Sequence, residues 1–380
     1  MKKQMISCTI DGWTSKANES YSACTCHWID EDFQLMSMIL GCFPHSGKAA
    51  APDHLRELKN QLAKFDIELK DIVNITTDTE PAMIATGRLI IEESSVNHGN
   101  TTWGGCIDHI LELTTGIAFD DTPLSEGVMK KCRSLVAKFT GSSQALAKLI
   151  GVQAGATWPD NSPRQALTVI QDVVTRWWST FWMCHRLLYL RQYLTLLVIQ
   201  GHLTAAENLT DNEWMIVKDV TTLLQPFMTA QKVLEGEKYV TISLVLHIIT
   251  TIRKGLEEVI TNDDSSEHVK HLADKLLTDF NKHWGKGEAG TIVKEHEKEG
   301  PRRRPKGIPL HALIATFLDP RTKHCKALDQ VNKELLRAEV KRRMIAMLPV
   351  ETDGVALPVA AVVTGAQTRA HGPAARKMQD

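Results

Sequence analysis

The sequence predicts an α/β fold: a mixed sheet followed by a large all-α body. Three observations carry this. Three short apolar runs (4–10, 21–29 and 33–43) stand close together near the start of the chain. Two more (72–78 and 101–107) alternate with amphipathic helices. From about residue 108 onward the pattern is almost wholly helical.

The first two runs carry Ile, Thr, Tyr, Cys and Trp at strand spacing, with Gly12-Trp13-Thr14-Ser15 read as the turn between them. The third, "FQLMSMILGCF", follows the acidic turn Asp30-Glu31-Asp32, and strands this close together predict an antiparallel meander. Residues 53–65 place Leu55, Leu58, Leu62 and Phe65 at spacings of three and four, and Pro52 suits the first turn of that helix. A strand (72–78), a helix (81–93) and a strand (101–107) come next. A long amphipathic stretch is then broken softly at Gly141-Ser142-Ser143. After a loop at 158–163 comes a very apolar run, and further helices are expected at about 211–235, 241–261, 266–284 and 309–318. The expected division is a core over 1–190 and a helical insertion domain over 191–348. Residues 285–307 are expected to form a disordered linker within that domain, and 349–380 an Ala/Val/Gly-rich disordered tail.

Composition excludes several classes. The formal net charge is −1, so any DNA contact must come from local basic patches. No apolar stretch approaches the ~20 residues of a membrane span, and Lys2-Lys3-Gln4 opens no signal peptide. The eight cysteines lie mostly inside apolar runs, which suits reduced, buried thiols in a cytosolic or nuclear protein.

Asp11 closes the first predicted strand and Asp78 the fourth. If those strands are neighbours, the two carboxylates meet at one edge of the sheet. Mg²⁺ takes oxygen ligands there while keeping several waters, and a pair of ions ~4 Å apart stabilises both oxygens of a phosphodiester displacement. Taken alone, both aspartates read first as turn formers, which Asp often is. Cys106-x-x-His109 is half of a zinc pattern, and no second pair stands at a convincing spacing. Trp177, Trp178, Phe181 and Trp182 recur at helical spacing, as core aromatics do. The run Arg302-Arg303-Arg304-Pro305-Lys306 reads as a DNA-backbone contact, a nuclear import signal or a solvated linker.

Five blocks in order, "IDGWTS", "VNITTDTEPAMI", "CIDHILEL", "DVVTRWWSTFWMCHRLL" and "IATFLDPRTK", resemble the hAT superfamily of DNA transposases, which includes domesticated zinc-finger BED-type proteins. The resemblance runs from about residue 6 to about 325. It implies an RNase H-like catalytic domain interrupted by a large helical insertion. It also implies that Asp11 and Asp78 are the first two members of a metal-binding acidic triad serving Mg²⁺ or Mn²⁺. His109, with Cys106, would lie near the scissile phosphate. Arg176 and Trp177 would match an Arg-Trp pair whose aromatic stacks on a flipped base.

The chain departs from the family in "DTEPAM" and in two larger features. The C-terminal block carrying the third acid and the dimerisation surface has no match, although Glu334 and Glu339 fall in the last helix. No BED-type zinc finger precedes the first strand. The expectation is therefore a truncated or degenerate transposase core, nuclear and DNA-binding, inactive in DNA recombination, with homo-oligomerisation left open. The alternative is a domesticated, non-catalytic nucleic-acid-binding or protein-interaction scaffold.

Overall fold

The structure is a computed structural model. It describes residues 5–15, 17–45, 50–96, 101–120, 125–155, 165–173, 177–286, 292–293 and 306–346. The strands are β1 (Ile6–Thr14), β2 (Ser20–Ile29), β3 (Leu35–His45), β4 (Ile72–Thr77) and β5 (Thr102–Gly105). They form one mixed sheet in the order β3-β2-β1-β4-β5. The first three are the antiparallel meander the sequence predicts, and β1, β4 and β5 run parallel. This is an α/β arrangement, a mixed sheet followed by a helical body.

The parallel pairs need crossovers, and helices supply them. After β3, α1 (Ala51–Ala63) leads to β4; after β4, α2 (Pro81–Val96) leads to β5. Both helices cover one face of the sheet. Cys8, Ile10, Cys24, Cys26, Leu40, Ile72 and Ile75 from the strands pack there with Leu58, Leu62, Met83 and Ile90.

One sequence expectation fails here. Gly12-Trp13-Thr14 is strand, not turn: these residues pair with Ser22, Tyr21 and Ser20. The reversal comes later, where Ser15 Oγ accepts the Glu19 amide at 3.2 Å and Asn18 takes a positive φ of 62°. Asn tolerates that backbone better than most residues. Asp11 therefore lies within β1 and does not close it.

The helical body comprises α3 (Ile107–Asp120), α4 (Lys130–Thr140), α5 (Ser143–Gly151), α6 (Trp177–Ile199), α7 (Asp211–Leu234), α8 (Val245–Thr261), α9 (Glu267–Trp284) and α10 (Leu310–Leu318). The predicted break at Gly141–Ser143 is real, with Ser142 Oγ accepting the Ala145 amide as the N-cap of α5. Thr210 and Glu213 form a capping box that starts α7. Residues 165–173 are extended rather than helical, because tertiary partners hold them. The Gln153 amide brackets Leu167, donating to its carbonyl and accepting its N–H, both at 2.9 Å. Asp172 accepts from Arg133 Nε at 2.8 Å.

The boundary expected at 190/191 falls inside α6, which runs unbroken. Leu187, Leu190, Leu194 and Leu197 share one core with α4, α5 and α7. Within the expected linker, Ile292–Val293 (β6) pairs in parallel with Ile308–Pro309 (β7). Residues 347–380, including all of the expected tail, lie outside the described residues. The last described helix is α11 (Gln330–Ala346), and the chain divides into two units between Leu336 and Arg337. Along α11 Leu336 and Val340 are buried, while Leu335 and Met344 are exposed.

Candidate functional site

Asp11 and Asp78 come together because β1 and β4 are parallel neighbours. Ile10 is the register partner of Thr77, and each aspartate is the next residue along. Adjacent strands lie ~4.8 Å apart, so the two residues stand side by side across the sheet. Asp78 caps the turn that enters α2, its Oδ1 accepting the Glu80 amide at 2.9 Å. Thr77 Oγ1 donates to the Asp78 carbonyl at 2.7 Å and accepts from Trp103 Nε1 at 3.0 Å. These bonds tie the end of β4 to β5.

Cys106 and His109 join the same edge. The Cys106 amide donates to the Thr77 carbonyl at 2.6 Å, which carries β5 past the end of β4. Cys106 then opens α3, its sulfur facing the amides of Asp108 and His109, and burial pushes its thiol up. The residue thus works as a helix N-cap, with no zinc pair required. Burial also raises the Asp78 carboxyl, with the like charges of Glu80 and Asp11 adding to it; the Glu80 amide and His109 act the other way. Asp11, Asp78 and His109 therefore share one electrostatic neighbourhood.

Two aspartates at adjacent backbone positions of neighbouring strands, one of them reluctant to ionise, fit a single hard divalent cation as donors. The set is too small for a pair of ions. Among the described residues no third His, Cys, Asp or Glu completes a metal-holding group. Glu339 is engaged by Arg342 at 2.6 Å and Arg343 at 2.8 Å, which lower its carboxyl to about 2. Glu334 accepts from Gln330 Nε2 at 2.9 Å.

The remaining predicted residues separate from this cluster or escape description. Trp177 starts α6, and its side chain lies outside the described residues, as do Arg176 and the basic run Arg302, Arg303 and Arg304. Of the aromatic stripe, Phe181 is fully buried, in keeping with a core role, and Trp182 lies under Lys232 Nζ at 4.8 Å. Sequence reasoning missed two features. Asp108, inside "CIDH", has its carboxyl pushed up to about 6 by burial, then by Glu235 and Glu112. Trp13, read as a turn residue, stands two positions past Asp11 on the same strand. The period-two rule would have flagged it once β1 was drawn through Gly12.

Residues 9–100, which run from within β1 through α2 and include Asp11 and Asp78, match the ZBED1 RNase-like domain. A putative AC transposase of Zea mays is 25% identical over 84% of this chain and 36% of that protein. A putative AC9 transposase of Zea mays is 29% identical over 50% of this chain and 22% of its own length. A putative transcriptional regulator, tpeD, of Talaromyces stipitatus is 24% identical over 70% of the chain and 34% of that protein. The chain thus spans little more than a third, or less, of each of these relatives. No helix among the described residues is long and apolar enough to cross a membrane.

Proposed function

We propose that this chain, a member of the hAT-type transposase and ZBED family, is a transposase-derived core that binds DNA and one divalent cation without cutting the strand. One observation carries the reading: Asp11 within β1 and Asp78 just past the end of β4 are adjacent across two parallel strands, with His109 close to Asp78. Asp11 and Asp78 would hold Mg²⁺ or Mn²⁺, which when bound neutralises charge on a phosphodiester oxygen. His109, at the start of α3, is within electrostatic reach of Asp78 and offers a hydrogen bond to a phosphate oxygen. The two-carboxylate donor set supports binding over cleavage by a two-ion mechanism, which needs ligands for both ions. Arg176 and the 302–304 arginines are assigned to the DNA backbone, and Trp177 to a base. Nuclear localisation goes with that role, and homo-oligomerisation stays with it as an open proposal.

A second reading has its own support. The tpeD relative carries the name of a putative transcriptional regulator, which favours a non-catalytic scaffold that needs no metal. Thermal melting separates the two. Under the first reading, millimolar Mn²⁺ raises the melting temperature by a few degrees, as ligand binding to the native state does. Asp11→Asn and Asp78→Asn each abolish that rise, and a nuclease assay on duplex DNA with Mg²⁺ or Mn²⁺ shows no strand cleavage. An unchanged melting temperature with Mn²⁺ leaves the scaffold. Efficient cleavage lost in Asp11→Ala overturns the claim of inactivity.

A further inference from the structure

Trp13 and Tyr21 face each other across β1 and β2, as Asp11 faces Ala23. Cys8 and Ile10 point into the core beneath α1 and α2, so by strand alternation Asp11 and Trp13 lie on the opposite face. There the two aromatic rings stack with centroids 5.8 Å apart and planes inclined by 16°. Cross-strand aromatic pairs stabilise a sheet by covering one another, yet Trp13 remains 44% exposed. Ala23, opposite Asp11, is small and leaves the floor between the carboxylate and the rings low.

We infer that the Trp13–Tyr21 pair is a stacking platform for an unpaired nucleobase of the strand whose phosphate lies at Asp11 and Asp78. Two residues along a strand span ~6.6 Å, a separation short enough for one nucleotide to reach from carboxylates to rings. A flat π surface on an open sheet face is how single-stranded nucleic acid is held by sheet proteins. Charge selects the base over the phosphate. The Tyr21 hydroxyl donates to Glu19 Oε2 at 2.7 Å, and that carboxylate raises the phenol's pKa. This corner therefore disfavours an anion and accepts a neutral ring. The site is separate from Trp177 on α6 and rests on the DNA-binding reading above.

The test is a fluorescence-anisotropy titration of the full chain with a labelled single-stranded oligodeoxynucleotide at fixed low salt. A companion set of oligonucleotides carries one abasic position at each site in turn. Trp13→Ala weakens binding about 5- to 100-fold, the span of base–aromatic stacking, and Trp13→Phe stays close to wild type. One abasic position weakens wild-type binding by the same factor and leaves Trp13→Ala unchanged. Circular dichroism checks that the variants fold. If Trp13→Ala does not fold, Trp13→Phe and the abasic series on the wild type still decide. Wild-type binding that is indifferent both to Trp13→Ala and to every abasic position overturns this inference alone. No binding of the wild type to any oligonucleotide overturns both it and the DNA reading.

Discussion

Asp108 opens α3 with a carboxyl pushed up to about 6, by burial first and then by Glu235 and Glu112. Its ionised form is therefore less welcome in the folded chain than in the unfolded one. That cost is absent below pH ~4, grows between pH ~4 and 6, and is complete above 6. Asp108→Asn should thus stabilise the protein at pH 7.5 by on the order of 1 kcal/mol, allowing for solvent screening of a half-buried group. At pH 4 it should change nothing. Urea melts at both pH values check this, and a loss of stability at pH 7.5 would mean that the favourable charge at the helix N-terminus outweighs burial. Asp78 and Cys106 could be placed from the sequence because each follows a strand end, where turn residues punctuate the pattern, whereas Asp11 was set at a strand end but lies within β1. The environment of Asp108 was not legible, because Glu235 comes from a helix far along the chain.

Elements meet at the site through α2 and β5, and Gly87 sets how closely. A Cβ at Gly87 would stand 2.3 Å from Trp103 Cδ1. The indole has little freedom to retreat, since its Nε1 donates to Thr77 Oγ1 at 3.0 Å. Alanine gains ~1 kcal/mol of helix propensity over glycine, but overpacking costs ~1–3 kcal/mol. Gly87→Ala should therefore destabilise the chain by about 1–2 kcal/mol in urea melting. It should also reduce the stabilisation by Mn²⁺, because Thr77 precedes Asp78. Equal or greater stability in the variant would show that the Trp103 ring swings aside without cost. Element order and type were readable from periodicity, from the meander to the break at Gly141. Two features were hidden by non-local pairing. Gly12-Trp13-Thr14 has turn composition but is strand because β2 supplies the ladder. Residues 165–173 have an apolar pattern but are extended because Gln153 and Arg133 hold them.

At the scale of the whole molecule, the division read from the sequence and the packing of residues 1–336 make opposite predictions about unfolding. A core over 1–190 and an insertion domain over 191–348 would melt in two steps, each with its own core. The packing joins them at several places. α6 carries Leu187 and Leu190 on one side of the expected boundary and Leu194 and Leu197 on the other, all in one core with Phe139, Trp214 and Val217. Lys131 on α4 pairs with Glu213 on α7 at 2.7 Å. α3 starts from the end of β5 and packs against both α7 and α9. On β5, a Cβ at Gly104 would stand 3.0 Å from the His311 ring of α10, so the last part of this unit touches the sheet. Sequence reading had no access to these links, because composition changes near residue 108 while contacts do not. The expected outcome is a single cooperative transition, with far-UV circular dichroism and tryptophan fluorescence giving coincident melting curves. Gly104→Leu, which pushes His311 off the sheet, should lower the midpoint and separate the two curves. Two resolved transitions in the wild type would restore the division at 190/191 and make the shared core of α4 to α7 a docking surface between independently stable halves.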